Sequence, residues 1–300
     1  MTAQRETSDS PPRVIDAQVH LWEPDSPSRP WKKLLTPRRG GGWADPVTAE
    51  VAIAAMDAVG VDAIVAVVPT LYDDANYAIE ASRRFPDRIF VVPHISINTP
   101  DLDCVIATYA AQPEIVAIRV SLGLTDKRDF ERYRQGKYAA LFTAAERVGL
   151  PIMLWVSGNL AEAGPIARDY PHLQFVIDHM GMLQPPRVDP GAAPFASLPD
   201  LLALAALPNV AVKLSGVPSL SVDAFPYSDL WPTLHEVLRA FGADRLMWGS
   251  DFTQKRTLHS YAEALGYIRD TDQLSSSEKS QVLGSTAQRL LRMRPASATV

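Results

Sequence analysis

Val14–Trp22 reads VIDAQVHLW, and its strict alternation decides the fold. With a period of two, Ile15, Ala17, Val19 and Leu21 share one face, while Asp16, Gln18 and His20 share the other. A strand with one apolar face and several polar side chains on the other fits the wall of a closed barrel. Its apolar side faces outer helices and its polar side climbs the axis. Outward from this stretch, further apolar runs of strand length recur at residues 63–68, 89–95, 115–120, 151–156, 173–177, 210–214 and 245–249. Helical patterns fall between them, most clearly over 48–59, 75–85, 139–148, 159–170, 198–207, 231–241 and 278–291. Eight such pairs predict an α/β protein, a single-domain (β/α)8 TIM barrel.

Parity places more polar groups inside. Arg119 and Ser121 oppose Ile118 and Val120, Lys213 and Ser215 oppose Val212 and Leu214, and His94 and Ser96 repeat the pattern. These groups collect at the C-terminal ends of separate strands, where barrels of this kind build their sites. By the same rule Asp178 has the outward parity and supports packing or orients a partner. The barrel is expected over residues 13–294, with a polar arm at 1–12 and a tail at 295–300.

The 300 residues carry 29 Lys and Arg against 34 Asp and Glu, a net charge of -5, which argues against a nucleic-acid or anionic-membrane surface. At 47% hydrophobic and 21% charged, the chain can bury a large core. Cys104, the sole cysteine, forms no intrachain disulfide and is read as a packing residue. No apolar leader and no run of about eighteen apolar residues occurs, so a cytoplasmic protein without a membrane span is expected. Two connections are long, at 23–47 and 181–197. The first carries Arg29, Lys32, Lys33, Arg38 and Arg39 without an acid between Ser26 and Trp43, and reads either as a lid that attracts an anion or as a solvated surface loop.

The segments VIDAQVHLW, DDANYAIEASRRFPDR, FVIDHMG, PNVAVKLSG and FGADRLMWGSDF, taken in this order, resemble the amidohydrolase-related barrel family. The resemblance is to its lactonase branch, alongside pyrone dicarboxylate lactonase, sulfomuconolactone hydrolase and sugar-acid lactonases. It spans residues 14–252 and implies a catabolic hydrolase with its site at the strand ends. Members usually carry His-x-His on the first strand, whereas here Gln18 stands at the first position and only His20 remains. The metal-dependent relatives imply His20, His179 and Asp251 as the residual ligands of a divalent ion. Gln is a poor substitute for imidazole toward zinc, so the expected cofactor is none, or a weakly bound zinc or manganese.

Asp251, after the eighth strand, is the expected general base toward water, although an aspartate there also suits a helix N-cap. His179 reads as electrophile or acid, or else as a core histidine, and together with His20 or Lys213 it is expected to stabilise an oxyanion. Arg119 and Lys213 read as clamps for a substrate carboxylate, or as internal ion-pair partners of Asp16 or Asp251. Gln18, His94 and Trp155 are expected to line the pocket. His172, His235 and His259 are read as surface residues. The resulting expectation is a hydrolase that opens a carboxylated lactone, a small acidic substrate, by aspartate-activated water. A metal-dependent decarboxylase of an aromatic acid, a cyclic amidase and a non-catalytic binding protein stay open, as does a homo-oligomer.

Overall fold

The computed structural model describes residues 12–32, 45–123, 128–185 and 193–294. The expected tail, nearly all of the arm, and Lys33, Arg38 and Arg39 of the first long loop lie outside the described residues. Eight parallel strands alternate with helices: β1 (Ile15–Val19), β2 (Ala63–Val67), β3 (Ile89–Val92), β4 (Ile118–Ser121), β5 (Ile152–Trp155), β6 (Phe175–Ile177), β7 (Val210–Ser215) and β8 (Leu246–Gly249). The helices are α1 (Ala49–Val59), α2 (Asn76–Arg84), α3 (Leu102–Ala111), α4 (Asp129–Arg134), α5 (Ala139–Val148), α6 (Ala163–Asp169), α7 (Leu198–Ala203), α8 (Trp231–Phe241), α9 (Phe252–Lys255), α10 (Tyr261–Arg269), α11 (Ser276–Ser280) and α12 (Thr286–Leu290). No described helix is long and apolar enough to cross a membrane.

Ladders join β1 to β3 and β4 to β8. Two parallel bridges, Val91 with Ile115 and His94 with Arg119, join β3 to the β4 side. At the seam between β8 and β1 the Asp251 N–H donates to the Gln18 carbonyl at 3.0 Å. The eight strands thereby form a TIM barrel. Its outer cluster holds Ile64, Ile89, Ile118, Ile152, Phe175, Val212 and Trp248 against the helices. A second cluster, with Val65, Val92, Met153, Val176, Ala211 and Met247, fills the axis.

Two parity assignments are corrected. Ile15 and Ala17 belong to the axial cluster, not to the helix side, while Val19 and Leu21 do face the helices. The cause is a break in the β1 to β2 register between Asp16 and Val19; an extra residue at such a bulge moves every side chain before it to the opposite face. Asp178 follows the axial Val176 by two residues and points inward, fully buried. Cys104 is exposed and His259 is buried, the reverse of their readings.

Helix α3 is not among the clearest helical patterns of the sequence because it buries only Ile106. The expected helix at 278–291 is interrupted by a π segment, Gln281–Ser285, between α11 and α12. Gly284 in that segment lies against the barrel floor, and a Cβ there would sit 1.8 Å from the Arg13 carbonyl oxygen. The close approach lets Ala287, Leu291 and Met293 close the bottom of the axial cluster. Gly284→Ala is therefore expected to destabilise the fold by about 1–3 kcal/mol without changing the other end of the barrel, as read by denaturant unfolding. A variant of wild-type stability would show that the floor yields.

Candidate active site

The C-terminal mouth is built on one connected polar network, and it starts at the bulge in β1. The His20 ring places Nδ1 2.7 Å from the Val67 carbonyl oxygen, so Nδ1 carries the proton. The Nε2 lone pair then accepts from the Gln18 Nε2 at 3.2 Å. Gln18 in turn offers Oε1 to the Lys213 ammonium. Burial, followed by the charge of Arg119, lowers the His20 pKa to about 3, and the ring is neutral.

Lys213, on β7, is fully buried. Its ammonium lies 2.8 Å from Asp178 Oδ1, 3.1 Å from the Ala17 carbonyl and 3.2 Å from the Met153 sulfur. Burial lowers its pKa, and Asp178 opposes that shift. Arg119, on β4, donates from Nε to Asp178 Oδ2 at 2.7 Å. One carboxylate thus balances both inward cations, where the alternative to a substrate clamp names Asp16 or Asp251 as the internal partner. Burial alone would raise the Asp178 pKa, but Lys213 and Arg119 together hold it well below the usual carboxylate range. Lys213 is thereby the floor of the site, with its donors directed into the protein.

Arg119 is oriented from three sides. Besides Asp178, its guanidinium carbon lies 4.3 Å from the centre of the Trp155 ring, and its Nη2 is 3.4 Å from His179 Nε2. A guanidinium can only donate, so His179 Nε2 accepts and Nδ1 carries the proton, directed at Ser215 Oγ (3.0 Å) and the Ser215 carbonyl (3.3 Å). Burial drives the His179 pKa well below its ordinary value. His179 reaches this position because the chain after β6 turns through two left-handed residues, His179 (φ 55°) and Met180 (φ 56°). On the neighbouring strand end, His94 Nε2 pairs with Ser121 Oγ at 3.1 Å.

Asp251 closes the ring. It sits at the head of α9 in left-handed backbone (φ 52°), and its side chain makes no capping bond, which removes the N-cap account. The carboxylate is buried, its Oδ1 has no hydrogen-bond partner, and that oxygen lies 3.8 Å from His20 Nε2. Burial pushes its pKa up to about 6, against the pull of Lys255, Arg119 and Lys213. Lys255 is one turn along α9, with its ammonium on the Pro185 carbonyl at 2.7 Å.

Gln18, His20, His94, Arg119, Trp155, His179, Lys213 and Asp251 are therefore brought to one barrel end. The sequence reading turned Ser215 inward but gave it no role, where the structure has it fix His179; it missed Lys255 beside Asp251 and left Asp178 outside the site. Ser215 shares the inward parity of Lys213, so the signal was present. Of the basic loop, Arg29 is engaged by Glu23 and Glu80, and Lys32 by Asp73. Those two charges are matched on the spot by acids of the same loop, of α2 and of the segment before it, which gives no support to an anion-attracting lid.

The donor set does not fit a tightly held divalent metal. His20 and His179 both spend their acceptor nitrogens on N–H donors, and the Asp178 carboxylate beside them is taken up by the Lys213 ammonium and the Arg119 guanidinium. Among the described residues no three His, Cys, Asp or Glu side chains converge on a common point.

A family profile described as amidohydrolase matches residues 15–293. The chain is 29% identical over 248 residues to an L-fucono-1,5-lactonase of Burkholderia ambifaria, covering 81% of each chain. An amidohydrolase from Burkholderia multivorans with bound zinc superposes with a TM-score of 0.76 at 22% identity, covering 94% of this chain and 100% of the other. A candidate 2-pyrone-4,6-dicarboxylic acid hydrolase of Pseudomonas putida gives 0.72 at 23% identity, covering 95% and 99%. These two likenesses show the fold.

Proposed function

The chain belongs to the amidohydrolase family, and on that premise we propose that it is a hydrolase that opens a lactone with a water activated by Asp251. One observation carries the reading. A buried carboxylate oxygen lacks any partner at the mouth, on a group whose pKa sits near the working range of a general base. The similarity to a fuconolactonase supports a cyclic ester as the bond cleaved.

In this mechanism Asp251 Oδ1 takes a proton from water as the water oxygen bonds to the lactone carbonyl carbon. The carbonyl π electrons move to oxygen, and the Arg119 guanidinium stabilises that oxyanion. Asp178, His179 and Trp155 fix the guanidinium in advance, so little reorganisation is needed when the charge appears. The tetrahedral centre then collapses and breaks the ring C–O bond. Asp251 returns its proton to the departing alkoxide, leaving a hydroxy acid. His179 acts on Arg119 here, because its own N–H is committed to Ser215. Lys213 supports the site from below through Gln18 and Asp178. Arg119, held by Asp178, His179 and Trp155, is the cation that this mechanism sets against an oxyanion or a substrate carboxylate.

Activity is expected to rise with pH through about 6, because only ionised Asp251 accepts the proton. A kcat/KM profile flat from pH 5 to 8 would remove Asp251 as the titrating base. The first assay is proton release from a panel of sugar-acid and aromatic lactones, with and without a chelator. Turnover that survives chelation is the expected result. Turnover lost on chelation and restored by zinc or manganese would overturn the metal-free reading, and silence across the panel would overturn lactone hydrolysis. A decarboxylase that works through a metal gains no support from a donor set already occupied by N–H groups.

A further inference from the structure

Asp251 has a left-handed backbone and an unpartnered carboxylate oxygen, so something else must hold its turn in place. The surrounding hydrogen bonds converge on Asp16, a residue outside the mechanism. Asp16 is fully buried on β1. Its Oδ1 accepts the Ser250 N–H at 2.8 Å and the Gln18 N–H at 3.0 Å, and its Oδ2 accepts the Ser250 hydroxyl. The Ser250 Oγ then accepts the Phe252 N–H at 3.0 Å. Across the same seam the Asp251 N–H donates to the Gln18 carbonyl, and the His20 N–H donates to Thr253 Oγ at 3.1 Å. Residues 250–253 are thus bound to residues 16–20 at a junction where neither sheet ladder runs. From the helix side, Tyr261 on α10 packs its ring on Phe252 at 4.0 Å between centroids.

We propose that Asp16 is a positioning residue: its carboxylate holds the Ser250–Phe252 turn, and through it aims Asp251 into the mouth. The proposal rests on the reading of Asp251 as the base, and its reach is defined by the bonds. Asp16 makes no hydrogen bond to the Asp251 side chain, although its charge is felt there. It acts by fixing both donors of Ser250, the N–H and the hydroxyl, and the bulge whose Gln18 carbonyl receives the Asp251 N–H. An amide at position 16 offers a single acceptor oxygen and an NH2 group, which would confront the Ser250 donors.

The test uses the full chain with Asp16→Asn, and Ser250→Ala as the milder variant that keeps the Asp16 carboxylate. Two quantities are read: kcat and KM on the best lactone, and backbone deuterium exchange of residues 249–254. Asp16→Asn is expected to lower kcat at least about tenfold with KM changed less than about threefold, and to speed exchange at Ser250, Asp251 and Phe252 about tenfold, with other strands unchanged. Ser250→Ala should move both readouts in the same direction by less. Asn209→Ala serves as the stability control. Its Nδ2 holds the Ala167, Tyr170 and Leu173 carbonyls at the far end of β7, so it should lower Tm and leave the kcat to KM relation intact.

Exchange at 250–252 unchanged in Asp16→Asn would overturn the proposal, as would a kcat loss no larger than that of the control. If Asp16→Asn does not fold, Ser250→Ala decides by the same two criteria. If the wild-type protein opens no lactone, the proposed function fails, and the exchange measurement alone still decides whether Asp16 holds the turn.

Discussion

Asp251→Asn is expected to lower kcat about 10³-fold, within the range assigned to a lost general base, while leaving the fold and its stability nearly intact. The reasoning begins with what the carboxylate does in the resting protein. Its Oδ1 bonds to nothing and its side chain caps nothing, so the amide breaks no hydrogen bond at that oxygen. Its backbone bonds, from Asp251 N to Gln18 O and from Gln254 N and Lys255 N to Asp251 O, are indifferent to the side chain. Burial raises the Asp251 pKa to about 6, so ionisation costs the folded state free energy, and the neutral amide avoids that cost. Stability near pH 7 should therefore stay level or rise. An enzyme with unchanged kcat would end the assignment of Asp251 as base, and a variant that loses its fold would overturn the expectation that the carboxylate makes no structural bond. Measuring Tm beside kcat separates the two.

Much of this was legible in the sequence because it depends on periodicity. The eight strands emerged from runs of strand length, and the inward polar groups of β4 and β7 from alternation alone. Two kinds of feature were not legible. A bulge changes no residue, only a register, so the reversal at Ile15 and Ala17 could not be seen in VIDAQVHLW. Its consequence is large, since it frees Asp16 from the axis and hands it to Ser250. Pairing was the other. Arg119 and Lys213 were visible as inward cations, but their shared partner was hidden by assigning Asp178 to the wrong face. Counting outward from the apolar Phe175 and Ile177, which share the outer cluster, would have placed Asp178 on the axis with Val176. The left-handed pair at His179 and Met180 has little such signal, because His enters that region more readily than most residues but Met does not, and a single His does not announce a turn.

Asp178→Asn is expected to be the most destabilising single substitution in the site, at about 3–5 kcal/mol, because it removes one charge that serves two. Arg119 Nε at 2.7 Å and Lys213 Nζ at 2.8 Å would be left buried with no counter-ion, and the new amide NH2 would face one of them. Lys213→Met should cost less, since Asp178 would keep Arg119 and the methionine would fill apolar volume beside Met153. The pH dependence discriminates between charge and shape. Asp178 has a folded pKa below its ordinary value of 3.8. Its contribution to stability is present above 3.8 and lost as pH falls toward the folded value. The stability gap between wild type and Asp178→Asn should therefore be constant from about pH 5 upward and narrow as the pH drops below 3.8. Asp16 and Asp251 run the other way in both proteins. Raised by burial to about 6, they favour folding below 3.8 and lose that contribution as pH rises through 6, so they largely cancel in the comparison. Urea unfolding of both chains between pH 3 and 8 reads the difference directly. A gap that stays constant to the lowest pH would show that the amide fails by shape, and that the two cations do not depend on the Asp178 charge.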